Sequence, residues 1–354
     1  MSEIPFFWIH TYTDVDRAFW AEHLEDWLPE RIMDAHVHVA HPRFQVATIT
    51  EETKRSYWVM ELQESQDADT AALCYKLLYP DRQTSCICTG APSLGWEIEG
   101  MNADLVGEAR RRGWYALAVV RPTWVAAQIE WLLDQPGIIG VKPYYALLGF
   151  DRNGRDLYQE ASIFDFLPPH QLEVLDARSA WVTLHVPRAG RLGHPENIRE
   201  VKELRRRYPR IRLVIAHLGR CYTLPHAEEA FPYLADDPGL YFDNSAVLNP
   251  AVHRLALQLF GAERILYGTD NPVFYLRGRR QWHDRTYINR TNYPFYFNTE
   301  RESPEIEAAY TLMMYEALKA IKEACADLGL GREAVESVFF RNAERLLDGV
   351  NRKG

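Results

Sequence analysis

The stretch that decides the fold is Ile32-Met33-Asp34-Ala35-His36-Val37-His38-Val39. It is an apolar run of strand length that ends in two histidines, His36 and His38. Residues two apart on a strand point to the same side, so both imidazoles are expected on one side of a sheet. A buried strand normally ends in hydrophobic residues. The pair therefore indicates either core histidines whose ring nitrogens are hydrogen-bonded or a functional site.

Similar apolar runs recur along the chain, and stretches of helical character separate them. The predicted strands after the first are 71–75, 115–120, 138–142, 181–186, 213–217, 240–243 and 265–270. Continuous apolar strands that alternate with helices are typical of a parallel sheet buried on both faces. Eight such units predict an α/β fold of the closed (β/α)8 TIM-barrel type. An open doubly wound sheet is the alternative, but it would normally carry a Gly-rich phosphate loop where this chain has DAHVH.

The whole chain, residues 1–354, is predicted to form one domain, because no repeat, low-complexity tract or linker divides it. The core barrel is expected at about residues 32–300, with residues 301–354 as extra C-terminal helices on its outside. Residues 150–168 are expected to be a loop insertion. The stretch 275–296, rich in Arg, Tyr and Asn, is expected to be either a lid over the site or an oligomer contact.

Composition excludes several classes of protein. The formal net charge of −9 argues against a nucleic-acid partner, which needs a basic face. No apolar run reaches the ~18 residues that a membrane-spanning helix needs. The N-terminal region lacks the basic residues followed by an apolar stretch that are typical of a secretory signal peptide. The five scattered cysteines suggest reduced thiols, not a disulfide framework. Cytoplasmic residence is therefore the expectation. A homo-oligomer, most simply a homodimer, is expected only from the frequency of such assemblies among soluble proteins.

Polar side chains stand at the ends of several predicted strands, where the mouth of a (β/α)8 barrel lies. They are His36, His38, Lys142, His185, His217 and Asp270. One such residue is readily explained as packing, but a whole set on one rim is not, since buried ionisable groups cost several kcal/mol unless they are paired or bound to a metal. The set therefore favours a metal site over a structural polar cluster.

Five short motifs resemble a known family. They are DAHVH at 34–38, LHVP at 184–187, AHLG at 216–219, YGTDNP at 267–272 and FFRNAERLL at 339–347. Together they resemble the amidohydrolase superfamily, and the last resembles the closing segment of its amidohydrolase-related branch. That branch contains lactonases, hydratases, hydrolases and decarboxylases of small carboxylated compounds.

The resemblance implies a role for each matching residue. His36, His38, His185 and Asp270 would be the metal ligands, and Asp270 would also accept a proton. His217 would orient or activate the metal-bound water, so His217 and Asp270 are the predicted catalytic residues. Imidazoles with one carboxylate suit Zn²⁺, with Mn²⁺ as the alternative, and one ion is expected. Such an ion lowers the pKa of its bound water from 15.7 toward ~7.

Four residues beside the predicted ligands are candidates for binding a small anionic substrate: Lys142, Arg188, Arg220 and Asn271. Lys142 has two other interpretations, as the carboxylated bridging lysine of two-metal members or as a lysine on the barrel rim. The arginines could equally be solvated loop charges.

Three functions stay open at this point. The first is a hydrolase that uses an activated water on a small carboxylated, sugar-acid or lactone-like substrate. The second is a lyase, either a non-oxidative decarboxylase or a hydratase, on the same site. The third is a barrel without activity that keeps the metal for structure. The retained HxH pair favours hydrolysis over decarboxylation, because some decarboxylases of the branch replace its first histidine by a carboxylate.

Overall fold

The computed structural model describes residues 12–56, 58–62, 65–149, 161–348 and 350. Within these residues, eight parallel strands pair in the order of the sequence. They are β1 (Arg31–His38), β2 (Gln83–Thr89), β3 (Tyr115–Val120), β4 (Ile138–Pro143), β5 (Trp181–Leu184), β6 (Arg212–Ile215), β7 (Tyr241–Asp243) and β8 (Ile265–Leu266). The barrel closes where β1 meets residues 267–271, with Ala35 N donating to Tyr267 O and His38 N to Asn271 O, both at 2.8 Å. The predicted TIM barrel is confirmed.

The α-helices of the described residues connect the strands or flank the barrel. They are α1 (Asp14–Phe19), α2 (Glu51–Ser56), α3 (Trp58–Leu62), α4 (Ala68–Leu78), α5 (Ile98–Arg112), α6 (Ala126–Leu133), α7 (Ile163–Phe166), α8 (Pro169–Ala177), α9 (Pro195–Arg207), α10 (His217–Arg220), α11 (Leu224–Ala230), α12 (Pro250–Phe260), α13 (Pro304–Ala308), α14 (Met313–Asp327), α15 (Arg332–Glu336) and α16 (Asn342–Asp348). None of them is both long and apolar enough to cross a membrane.

The second predicted strand, 71–75, was wrong. This stretch lies in α4, where Asp67 caps the helix by accepting from Thr70 N at 2.8 Å. The run is made of Ala, Leu, Cys and Tyr, and a short apolar run does not distinguish a strand from a buried helix face. The actual second strand is β2, with Cys86 and Cys88 buried in its middle. Asn102 lies inside α5, where its side chain donates to the carbonyl of Val119 and accepts from the N–H of Val119.

The C-terminal helices occupy two different places. α14 packs on α12 outside the barrel, as predicted. By contrast, Leu346 and Leu347 of α16 join the apolar cluster inside the barrel, together with Trp181. Tyr115 and Tyr241, the first residues of β3 and β7, pack on the same cluster, so α16 closes the end of the barrel opposite the mouth.

A hairpin that the sequence reading did not foresee follows β8. Strands β9 (Gly278–His283) and β10 (Thr286–Thr291) pair antiparallel within the stretch 275–296. The predicted loop insertion at 150–168 is helical at Ile163–Phe166, and residues 150–160 lie outside the described part of the chain. All five cysteines are buried and free.

Candidate metal centre

A β-bulge immediately before the histidines of β1 aims them into the barrel. The pairing of β1 with β2 leaves one extra residue in β1 between Asp34 and Val37. Ala35 belongs to the apolar cluster inside the barrel, whereas Val37 packs in the core outside it. The bulge reverses the alternation of side chains, so His36 and His38 face inward. The two do share a side, as predicted, but the bulge decides which side.

A second bulge places Lys142. One extra residue of β4 lies opposite β3 around Ile139. Ile139 points into the barrel and Val141 into the outer core, so the next inward residue is Lys142. Gly140 is required here, because a Cβ at this position would lie 1.8 Å from the carbonyl oxygen of Trp181. Lys142 is only 1% exposed, which excludes the interpretation of a lysine on the outer rim.

Three predicted ligands converge on one point. Nε2 of His38 lies 3.2 Å from Oδ1 of Asp270, and Nε2 of His36 lies 3.6 Å from the same oxygen. Two ligands of a tetrahedral ion with bonds of ~2.1 Å are about 3.4 Å apart, so this spacing fits one divalent cation. Nζ of Lys142 lies 3.1 Å from Nε2 of His36, on the atom that a metal would use.

All four histidines of the site have the same tautomer. Each donates from Nδ1 to an oxygen that accepts: His36 to Asp243 at 3.0 Å, His38 to Gly90 O at 3.0 Å, His185 to Val186 O at 3.3 Å and His217 to Ser245 O at 3.3 Å. In this tautomer each Nε2 carries the lone pair with which imidazole binds a metal, and that of His36 faces Nζ of Lys142.

The four rings are neighbours, but His185 is the outer member. The ring centroids are 4.7 Å apart for His36 and His217 and 5.1 Å apart for His217 and His185. Among the described residues, the groups whose donor atoms lie within 4.8 Å of one another are His36–His38–Asp270 and His36–His217–Asp243. His185 completes neither group, so its role as a ligand stays a prediction.

Asp243, at the end of β7, is a functional residue that the sequence analysis missed. It is fully buried, and its Oδ1 accepts from the backbone N–H of His217 at 3.0 Å and of Ser245 at 3.2 Å. Its Oδ2 accepts from Nδ1 of His36. Both oxygens thus already hold groups of the site, so Asp243 is placed to orient His36 and His217, and His36, His38 and Asp270 are the better candidate for holding an ion.

The electrostatics of the site favour the metal-binding protonation states. Burial, and then Lys142, lowers the pKa of His36 to about 4, and burial lowers that of His217. Burial alone would raise the pKa of Asp270, but His217 and His38 outweigh it and hold the pKa below its usual value. Burial lowers the pKa of Lys142 to about 8. At neutral pH the imidazoles of His36 and His217 are therefore neutral and the carboxylate of Asp270 is ionised, as metal ligands must be.

Backbone conformations that L-residues rarely adopt cluster at the same point. His217 has φ of 55° and Asp270 has φ of 59°. Such conformations cost about 1–3 kcal/mol each and are retained where the surrounding structure imposes them. Gly268 leaves room for the site, because a Cβ there would lie 2.9 Å from Cβ of His36.

A family model described as amidohydrolase, of the amidohydrolase-2 type, matches residues 97–349. The chain belongs to the amidohydrolase family. The match covers His185, His217 and Asp270 but begins after β1, so His36 and His38 rest on the geometry above. No curated protein matches the sequence.

Solved amidohydrolases share the fold at low sequence identity. A probable 2-pyrone-4,6-dicarboxylic acid hydrolase of Acinetobacter baumannii, with citric acid bound, has 15% identity and a TM-score of 0.54 over 90% of this chain and 99% of that one. A zinc-bound amidohydrolase of Burkholderia multivorans has 12% identity and a TM-score of 0.57 over 90% and 99%. A manganese-bound 5-carboxyvanillate decarboxylase of Novosphingobium aromaticivorans has 13% identity and a TM-score of 0.51 over 92% and 97%. At these identities the likeness establishes the fold alone.

The predicted substrate contacts of this amidohydrolase lie in different surroundings. Lys142 is inside the site. Arg188 forms a buried ion pair with Glu200, with Nη2 3.1 Å from Oε1, which favours a structural role. Arg220 donates to three carbonyls of the loop after β5, at residues 186–188, and braces that loop. Asn271 is fully buried beside Met314, and its Oδ1 has no hydrogen-bond partner among the described residues.

Aromatic residues complete the wall beside the metal centre. Tyr144 and Tyr145, directly after β4, place their rings 4.9 and 5.2 Å from the ring of His185. Tyr222 lies 6.5 Å from the ring of His217. Sequence patterns gave no signal for these residues, since aromatic side chains after a strand are as common in cores as in sites.

Proposed function

We propose that this protein is a metal-dependent hydrolase that uses an activated water to cleave a small carboxylated, sugar-acid or lactone-like substrate. The observation that carries the proposal is the convergence of His36, His38 and Asp270 at ligand spacing, with the neutral imidazole of His217 beside them. The family of the chain supports an enzyme, and its solved relatives include both a hydrolase and decarboxylases.

In this proposal, His36, His38 and Asp270 hold one divalent ion, with His185 as the fourth protein ligand. The donor set fits Zn²⁺ first and Mn²⁺ second, since it contains nitrogen and oxygen but no thiolate. When bound, such an ion supplies a water of lowered pKa and polarises an acyl oxygen of the substrate.

The residues of the chain itself would move the proton. His217 is neutral, and its Nδ1 is held by Ser245, so its Nε2 is the free acceptor. Asp270 is ionised and can accept at the oxygen that the ion leaves free. Lys142 supplies a positive charge inside the site, which favours an anionic substrate group. Cytoplasmic residence and homo-oligomeric assembly remain part of the proposal.

Metal removal and product analysis test the proposal. Chelator-stripped protein should lose turnover of a panel of lactones and aromatic acids and regain it with Zn²⁺ or Mn²⁺. His217→Gln should keep the metal but lower kcat by about 10²- to 10⁴-fold, the usual contribution of an acid–base residue. The matched control is His253→Gln, a buried histidine on α12 away from the site, which should keep turnover.

The product distinguishes hydrolysis from the alternative lyase. Mass spectrometry should find the product larger than the substrate by one water. Loss of carbon dioxide would replace the hydrolase by a decarboxylase, and full turnover by stripped protein would refute metal dependence altogether.

A further inference from the structure

The hairpin β9–β10 carries a buried arginine that the metal centre does not use. Arg280, on β9, is only 5% exposed. Its Nε donates to Asn289 Oδ1 at 2.8 Å and its Nη1 to Ala246 O at 2.9 Å. Its Nη2 makes no hydrogen bond to the described residues. Among those residues, no carboxylate lies within ion-pair distance of the guanidinium.

Aromatic rings fix this guanidinium in place. Its Cζ lies 4.1 Å from the ring centroid of Tyr287, 5.5 Å from that of Tyr222 and 5.7 Å from that of Phe274. Cation–π contacts orient a cation but do not neutralise its charge. Burial, and further Arg191, lowers the pKa of Arg280, whereas the groups that raise it are tyrosines. A buried cation without a counter-charge is costly unless a ligand supplies one.

The arginine lies one ring away from the proposed reaction centre. Tyr222 links the two places, since its ring centroid lies 6.5 Å from that of His217 and 5.6 Å from that of Tyr287. Ala246, which accepts from Arg280, directly follows Ser245, which holds His217. Arg191 stacks on the same Tyr222 ring at 5.2 Å, so this wall of the site carries a second cation.

We propose that Arg280 is the specificity residue of the site and binds a carboxylate of the substrate, with the hairpin β9–β10 as the wall that presents it. This inference rests on the proposed function for the location of the reacting bond. Of the two interpretations of the stretch 275–296, the inference favours a lid over the site and not an oligomer contact. It also implies that the substrate is an anion. The substrate is then a compact acid whose carboxylate lies about one aromatic ring from the bond that is cleaved.

Binding of isophthalate and of its uncharged diamide, isophthalamide, tests the inference by calorimetry on metal-free protein. Without the metal, any preference for the diacid comes from the cations of the chain. Arg280→Gln should weaken isophthalate binding by about 10- to 100-fold, the range of a charge-assisted hydrogen bond, and leave the diamide unchanged. Arg280→Lys should restore part of the affinity. The matched control is Arg279→Gln on the same strand, because Arg279 is 43% exposed and paired with Glu302.

Each result has one meaning. Wild-type protein that does not prefer the diacid overturns the inference, and so does an equal loss for both probes in Arg280→Gln. A selective loss in a protein whose turnover proves independent of metal would keep the carboxylate site and refute only the proposed hydrolase. Unfolding temperatures of all variants confirm that the comparison is made on folded protein.

Discussion

Replacing Asp243 by Asn tests whether the tautomer of His36 controls the metal centre. The side chain keeps its size, so packing is preserved. Oδ1 of Asp243 accepts two backbone N–H groups that cannot turn away, from His217 and Ser245. The amide oxygen of the asparagine must therefore occupy that position. Its NH₂ group then stands at the position of Oδ2, facing Nδ1 of His36.

Two donors would meet at that contact. In the native protein Nδ1 of His36 carries the hydrogen and Nε2 carries the lone pair. With an NH₂ group opposite, His36 relieves the conflict by moving its hydrogen to Nε2, the atom that faces Asp270 and the ion. Loss of an orienting partner of this kind typically lowers metal affinity by about 10- to 100-fold, which is roughly 1.4–2.8 kcal/mol.

Zinc affinity, measured by competition with a chromophoric chelator at neutral pH, gives the answer. We expect Asp243→Asn to raise the Kd for Zn²⁺ by at least tenfold while the protein stays folded. Asp16→Asn is the matched control, because Asp16 is equally buried but pairs with Arg277 away from the site. Equal zinc affinity in wild type and Asp243→Asn would refute the tautomer argument.

Three further predictions concern groups outside the metal centre. Asp16→Asn should lower the free energy of unfolding in urea by about 3–5 kcal/mol, because it leaves the guanidinium of Arg277 buried without its carboxylate; a loss below ~1 kcal/mol would contradict this. Arg188→Gln should lower the free energy of unfolding by a similar amount, because it leaves Glu200 buried without Arg188, and it should leave KM unchanged. A raised KM with normal stability would instead support the substrate-binding role predicted for Arg188. Burial lowers the pKa of His253 to about 4, so its stabilising effect is complete above its unfolded pKa of about 6.5 and is lost as pH falls toward 4. Urea unfolding at several pH values should show that the free energy of unfolding of His253→Gln falls less on acidification than that of wild type, by up to about 3 kcal/mol. An equal fall in both proteins would contradict the assignment.

The sequence predicted the barrel and the convergence of His36, His38 and Asp270 because strand ends are visible as apolar runs. Those runs reveal where a strand stops, and the parallel topology brings the stops to one rim. What the runs cannot reveal is which way a side chain points. The bulges in β1 and β4 add one residue each and reverse the alternation. A bulge depends on the partner strand, so no local pattern announces it.

The missed features have different physical causes. Asp243 orients His36, which lies far earlier in the chain. A single aspartate at the end of a strand gives no local signal of such a distant partner. The hairpin β9–β10 turns at Asp284-Arg285, without the Asn-Gly or Asp-Gly pair that marks short hairpins. The strand wrongly placed at 71–75 is a short apolar run that lines the buried face of a helix, with Ala71, Cys74 and Tyr75 buried.

The metal centre stands on the line where the barrel closes. His36 and His38 lie on the first strand, and Asp270 lies in the segment after the last strand. The hydrogen bonds that close the barrel therefore also bring these three residues together. Asp34 ties the two together, since its Oδ1 accepts the backbone N–H of His36 at 3.1 Å and that of Thr269 at 3.0 Å. Backbone hydrogen bonds between β1 and residues 267–271 thus fix the positions that carry the ligands, and the Nδ1 bonds of His36 and His38 orient the rings. An ion that needs ligands at fixed separation benefits from such a frame, because little conformational entropy is left to lose when it binds.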